Sequence, residues 1–115
     1  MNQSCLFCRI VSGEIPTQLI YEDELCVAFN DINPQSPVHL LVIPRDHITS
    51  LAHTRPQDGG TLGQLMLVAA RIAEDSGIAA SGYRTVINTG ADGGQSVFHL
   101  HVHVLGGRAF GWGPG

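Results

Sequence analysis

From Phe98 to Val104 the chain alternates strictly. Phe98, Leu100, Val102 and Val104 are apolar, and His99, His101 and His103 stand between them. Period-two alternation predicts a strand, in which successive side chains point to opposite faces. The three imidazoles then share one face while the apolar residues turn to the core. Helical winding, at about 100° per residue, would scatter them instead. Residues 18–22 and 26–30 predict two further strands joined through the acidic turn Glu22-Asp23-Glu24. The continuous apolar run 39–44, closed by Pro44, predicts a buried strand, and residues 82–89 predict another.

The longest helical signal lies between Thr61 and Gly77. Leu62, Leu65, Met66, Ala69, Ile72 and Ala73 recur at helical spacing and make one apolar face, with Leu67 and Val68 off it. Thr61 and Gln64 have the capping-box spacing, and Gly77 is placed to end the helix. Residues 6–13 predict a short helical turn, residues 33–37 a proline-rich loop, and residues 90–96 a glycine-rich loop that runs into the histidines. There are no internal repeats or low-complexity stretches. Strands in succession with one long helix inserted predict a single α+β domain over residues 1–115, with about five mostly antiparallel strands.

Composition narrows the functional classes. At 115 residues, 43% hydrophobic and 14% charged, the chain is globular and holds one core. A formal net charge of −4 argues against a partner recognised through a nucleic-acid backbone, but not against a single nucleotide. All six basic residues are arginine, which excludes Schiff-base and phosphate-loop lysines. No apolar run approaches the roughly 20 residues of a membrane span, and no secretory signal is visible. Three cysteines, an odd number, fit a reducing compartment, so the expected location is the cytoplasm, with no membrane partner.

Three histidines on one face after a glycine-rich loop suggest phosphoryl chemistry. Glycines in Asp92-Gly93-Gly94-Gln95-Ser96 allow backbone N–H groups to converge on an anion, and Ser96 adds a hydroxyl donor. Neutral imidazole is a competent nucleophile toward phosphorus if one ring nitrogen is free and the other is held by an acceptor. A second imidazole can stabilise the phosphoryl oxygens or move protons. Two other readings stay open at this level: histidines individually satisfied on a strand face, and a metal-dependent hydrolase in which all three bind zinc. Cys5-x-x-Cys8 is only half of a zinc site, or alternatively a redox pair. His53 and Cys26 carry no functional signal.

His99-Leu100-His101-Val102-His103-Val104-Leu105 resembles the histidine triad motif. FCRIVSGEIP, NDINPQSPVHLLVIPRDHI, NTGADGGQSVFHLHVHVLGGR and the terminal Trp-x-Pro-Gly extend the likeness over essentially the whole chain. The sequence is therefore identified as similar to the branch of histidine triad nucleotide-binding proteins that act as nucleoside phosphoramidases.

The resemblance implies a mostly antiparallel sheet extended across a homodimer, with residues 106–115 as a tail contacting the partner. It implies hydrolysis of the P–N bond of purine nucleoside phosphoramidates, of AMP-amine or AMP-lysine type, through a nucleotidyl-histidine intermediate. By carry-over, His101 is the nucleophile, and His103 and Ser96 contact the phosphate and assist the leaving group. His39 is a further active-site histidine. Gly94, Gln95 and Val97 line the phosphate loop, Asn88 approaches the phosphate or ribose, and Asp31 accepts the ribose hydroxyls. Phe7, Ile10, Phe29 and Ile32 wall the base, and Trp112 reaches the partner's site. The same resemblance implies a structural zinc on Cys5, Cys8, His47 and His99, and no cofactor for the chemistry. Hydrolysis of dinucleoside polyphosphates, or nucleotide binding without turnover, are the alternatives.

Overall fold

The computed structural model describes residues 4–114. Its elements follow in the order α1 (Leu6–Val11), β1 (Leu19–Glu22), β2 (Cys26–Asn30), β3 (Val38–Pro44), α2 (Gly59–Asp75), β4 (Tyr83–Val86) and β5 (Val102–Gly106). Short 3-10 turns at Leu51–His53 and Pro56–Asp58 lie between β3 and α2. One sheet in the order β1-β2-β3-β5-β4, antiparallel at every pairing, carries the whole domain. This is the expected α+β architecture.

Both faces of the sheet are covered, which explains why β3 reads as a continuous apolar run. Leu40, Val42, Leu100, Val102 and Val104 pack with Cys26 and Ala28 beneath α2. On the other face Val27, Phe29, Leu41 and Ile43 meet Phe7 and the two cysteines of α1. The histidines lie on that second face. They do not stand on a solvated surface, as alternation alone suggests: His99 and His101 are buried.

Three local expectations are corrected. The β5 ladder begins only at Val102, which pairs with Val42 two residues before β3 ends. Residues 98–101 precede the ladder, and Phe98, expected in the core, is 51% exposed. Helix α2 begins at Gly59, so Thr61 and Gln64 form no capping box. A side-chain cap sits earlier, on the Pro56–Asp58 turn, where Asp58 accepts from the backbone N–H of Arg55 at 2.8 Å. The buried stripe of α2 is Leu65, Val68, Ala69, Ile72 and Ala73, an i, i+3, i+4, i+7, i+8 set. It takes in Val68 and leaves Met66 outside, a rotation that hydropathy alone does not resolve.

The end of α2 is as expected. Gly77 has φ +78°, and the N–H groups of Gly77 and Ile78 close on the carbonyls of Glu74 and Ala73. Gln64 donates to Asp23 at 2.8 Å instead of capping, and Asp23 also accepts from Tyr21 and the N–H groups of Leu25 and Cys26. That carboxylate pins α2 to the β1–β2 turn. Beside it, burial pushes the Cys26 thiol up to about 12, leaving it inert core. No helix among the described residues is long and apolar enough to cross a membrane.

Candidate functional site

A cavity of about 710 Å³ opens between α1, the β2–β3 loop and the histidine segment. It is large enough for a small organic ligand. Phe7, Ile10, Phe29, Asp31, Ile32, His39, Ser96, Val97, His101 and His103 all line it, as the sequence reading groups them. Leu6, residues 15–18, Asn30, Asn33, Gln35 and Leu41 complete the wall, and the sequence singles out none of them. Leu41 was accessible to that reading, since strand alternation puts it on the same face as His39. Ile32 is 98% exposed and forms a rim more than a wall.

The hydrogen bonds fix ring tautomers. His101 Nδ1 lies 2.7 Å from the carbonyl oxygen of His99. A carbonyl can only accept, so Nδ1 carries the proton and Nε2 keeps its lone pair. Burial lowers the affinity of His101 for a second proton, with the carbonyl and the Asp31 charge opposing. The edge of Phe7 packs against this ring at 5.2 Å between centroids.

On β3, His39 Nδ1 accepts the backbone N–H of Gln35 at 3.0 Å, so its proton sits on Nε2. That Nε2 is 2.9 Å from His103 Nδ1 and 3.4 Å from Asp31 Oδ2. His103 pairs with Leu41 in the ladder, and His39 lies two residues from Leu41 on the same face, a diagonal contact. The His103 Nδ1 therefore accepts and its Nε2 bears the proton. Burial, then the neighbouring His101 and His39, push His103 down to about 4. Asp31, His39 and His103 also lie close enough to hold a cation. The Gln35 N–H disfavours that use, since a metal on His39 Nε2 would require an imidazolate.

The glycine-rich segment turns twice through positive φ, at Gly90 (+73°) and Gly94 (+80°). Gly93 has no room for a side chain: a Cβ there would fall 2.3 Å from the Thr89 carbonyl oxygen. Two of the predicted binding residues brace this loop with their side chains. Gln95 is buried, accepts from Gly90 N–H at 2.9 Å and donates to Thr49 and Val97 carbonyls. Asn88 donates to the Gly93 carbonyl at 2.7 Å. Neither they nor Gly94 line the cavity, whereas Ser96 is exposed at its edge. Trp112 is 97% exposed and outside the cavity of its own chain.

Cys5, Cys8, His47 and His99 form a second cluster, their ligand atoms all within 4.8 Å of one another. His99 Nδ1 is 3.3 Å from Cys5 Sγ and 3.5 Å from Cys8 Sγ, and His47 Nδ1 is 3.3 Å from Cys8 Sγ. Tetrahedral zinc with ordinary bond lengths would space sulfur and nitrogen by about 3.6 Å. His99 Nε2 donates to the Pro44 carbonyl at 2.9 Å, so Nδ1 faces the thiols with its lone pair. The donor set and geometry fit a closed metal site. His53 takes no part in either cluster; its Nδ1 meets Ser50 Oγ at 2.7 Å in the Leu51–His53 turn.

The HIT domain model matches residues 12–110. A purine nucleoside phosphoramidase of Escherichia coli is 44% identical over 111 residues, 96% of this chain and 93% of that protein. The crystal structure of a HIT family hydrolase from Legionella pneumophila superposes with TM-score 0.93 at 44% identity, covering 96% of this chain and 99% of the other. A Zn-bound histidine triad family protein from Mycobacterium smegmatis superposes with TM-score 0.78 at 42% identity, over 91% and 76% of the two chains. With a family match across most of its length and relatives this similar over nearly the whole chain, the protein belongs to the HIT domain family.

Proposed function

We propose that this protein is a nucleotidyl hydrolase that cleaves the P–N bond of purine nucleoside phosphoramidates, releasing the nucleoside monophosphate. One observation carries the reading: His101 is held with Nδ1 protonated and Nε2 free, inside a nucleotide-sized cavity. The likeness to a purine nucleoside phosphoramidase supports the substrate class.

In this reading the base lies between Phe7, Ile10, Phe29 and Ile32, and Asp31 accepts the ribose hydroxyls. Selectivity among purines is modest, because apolar walls grip a flat base without reading its edge. The phosphate sits against the backbone of residues 94–97 and Ser96 Oγ, with Asn88 and Gln95 shaping that loop. His101 Nε2 attacks phosphorus and the P–N bond breaks. The amine departs neutral, keeping a proton that the phosphoramidate nitrogen carries into the site, while His103 Nε2–H donates to a phosphoryl oxygen and its Nδ1 receives a hydrogen bond from His39. Water then displaces the imidazole. Its oxygen stays on phosphorus and one of its protons leaves to solvent, so His101 returns to its neutral Nδ1–H form. No metal takes part in this sequence. Zinc on Cys5, Cys8, His47 and His99 has no open position and is structural.

The working unit is a cytoplasmic homodimer in which the C-terminal tail, with Trp112, contacts the partner subunit. Parallel rates on adenosine phosphoramidate, guanosine phosphoramidate and diadenosine polyphosphates test the substrate class. Phosphoramidate turnover with an acid-quenched, histidine-linked nucleotide is the expected result. Faster cleavage of the polyphosphates, or binding of AMP without turnover of any of these, would overturn it.

A further inference from the structure

The peptide unit between His99 and Leu100 is held from both sides. Its carbonyl accepts the His101 Nδ1–H at 2.7 Å, and its N–H donates to the Ile48 carbonyl at 2.7 Å. The residue next to Ile48 is His47, and both His47 and His99 belong to the four-residue metal cluster. A metal bound there would thus clamp the two backbone segments whose hydrogen bond orients this one peptide plane. On the opposite wall, Phe7 lies between Cys5 and Cys8 in sequence and packs edge-on against His99 and His101, at 5.9 and 5.2 Å.

From this arrangement we infer that the Cys5–Cys8–His47–His99 cluster, when it holds its metal, positions the nucleophile as well as stapling α1 to the sheet. The acceptor that keeps the His101 proton on Nδ1 is a ligand's own carbonyl. Without the metal, the thiols and imidazoles of the cluster meet through weak contacts. The His99–Leu100 plane loses its clamp, and the His101 ring gains freedom to rotate or exchange tautomers. Loss of an outer partner of this kind commonly costs about tenfold or more in activity. Cys5, Cys8 and His47 are therefore positioning residues and touch no substrate. The inference rests on the proposed role of His101 as nucleophile.

The test compares zinc-loaded protein, chelator-stripped protein and His47→Gln, with Leu65→Ala as a control. Leu65 is buried on the inner face of α2, on the far side of the sheet, so its truncation destabilises the fold without touching the cluster. Bound zinc per chain, AMP affinity, the rate on adenosine phosphoramidate, and the ¹⁵N ring signals of His101 are measured well below each melting temperature. Expected on metal loss are a fall in kcat of about tenfold, a smaller change in AMP affinity, and loss of the single Nδ1–H tautomer. The Leu65→Ala protein should keep both its kcat and its ring signals. Unchanged rate and ring signals in folded, stripped protein would overturn the inference, and so would failure to take up zinc. If even zinc-loaded protein cleaves no phosphoramidate, the functional reading fails by itself. The ring signals of His101 then decide the positioning role.

Discussion

Nε2 of His39 donates to Nδ1 of His103 across 2.9 Å, and the Gln35 N–H on the far side of His39 fixes that direction. The pair is built for neutral rings, and burial lowers both affinities for a further proton. In the unfolded chain His103 would titrate near its ordinary 6.5, against about 4 when folded. Between those values the unfolded state binds more protons, so stability falls as pH drops through that window. The urea midpoint of the wild-type protein should fall between about pH 7 and about pH 5, and less steeply in His103→Asn. Equal slopes for the two proteins would contradict the assignment.

A nucleophile should be dispensable for folding and binding but not for turnover. His101→Asn and His101→Gly should lower kcat by about three orders of magnitude or more, with AMP affinity and melting temperature changed little. The two substitutions guard against a misfolded variant, since Gly removes the ring and Asn keeps a polar group near the His99 carbonyl. A folded variant with near-normal turnover would remove His101 from the mechanism.

The phosphate loop makes a separate prediction. At Gly93 an added Cβ would meet the Thr89 backbone, which cannot yield as a flexible side chain can. Gly93→Ala should therefore distort residues 93–96, weaken AMP binding about tenfold or more, and cost roughly 1–3 kcal/mol of stability. Gly63→Ala on α2, where a Cβ meets nothing within 4 Å, is the matched control and should be neutral or mildly stabilising. Intact AMP affinity in Gly93→Ala, read by calorimetry, would leave the loop a turn with no anion to hold.

The five strands and the long helix were legible because each rests on periodicity or turn chemistry, whereas the grouping of residues around the cavity came from the resemblance to the histidine triad family. What periodicity cannot show is which extended residues find a ladder partner. His99 and His101 look like strand residues, yet the pairing with β3 ends at Val42 and Val102 and they stand beyond it, where Leu100 N–H reaches Ile48 instead. Burial of the histidine face was likewise invisible, because it depends on α1 folding over from a distant part of the chain. The short backbone bonds that set tautomers, from Gln35 N–H and the carbonyls of His99 and Pro44, belong to no residue type and leave no trace in sequence.

Trp112 and the tail give the last prediction. Phe110 is held on its own chain between two guanidinium groups, Arg84 at 4.8 Å and Arg108 at 4.1 Å from its ring centroid. Arg84 also donates to the Gly111 carbonyl at 2.6 Å, so the tail is anchored as far as Gly111 and then turns outward. Trp112 follows with 97% of its surface exposed. An indole in that position is a poor use of apolar surface in an isolated chain, whereas an anchored stem presenting an aromatic tip suits insertion into a second copy. The same chain leaves Leu67 at 68% and Met66 at 42% exposed on the outer side of α2, and leaves β4 as an edge strand. Val68, which the hydropathy pattern put off the apolar face, is satisfied internally, so the case rests on Met66, Leu67, β4 and Trp112. Two-fold pairing of identical surfaces is the commonest way to cover such features. Light scattering at micromolar concentration should give twice the chain mass. A chain truncated after Phe110 should keep its anchored ring and remain dimeric through α2 and β4. Its kcat/KM should fall about threefold or more on phosphoramidates with bulky amines, because Trp112 no longer reaches the neighbouring site. A monomer with full activity would reject the dimer, and a truncated dimer with unchanged rate and selectivity would reject the role of Trp112.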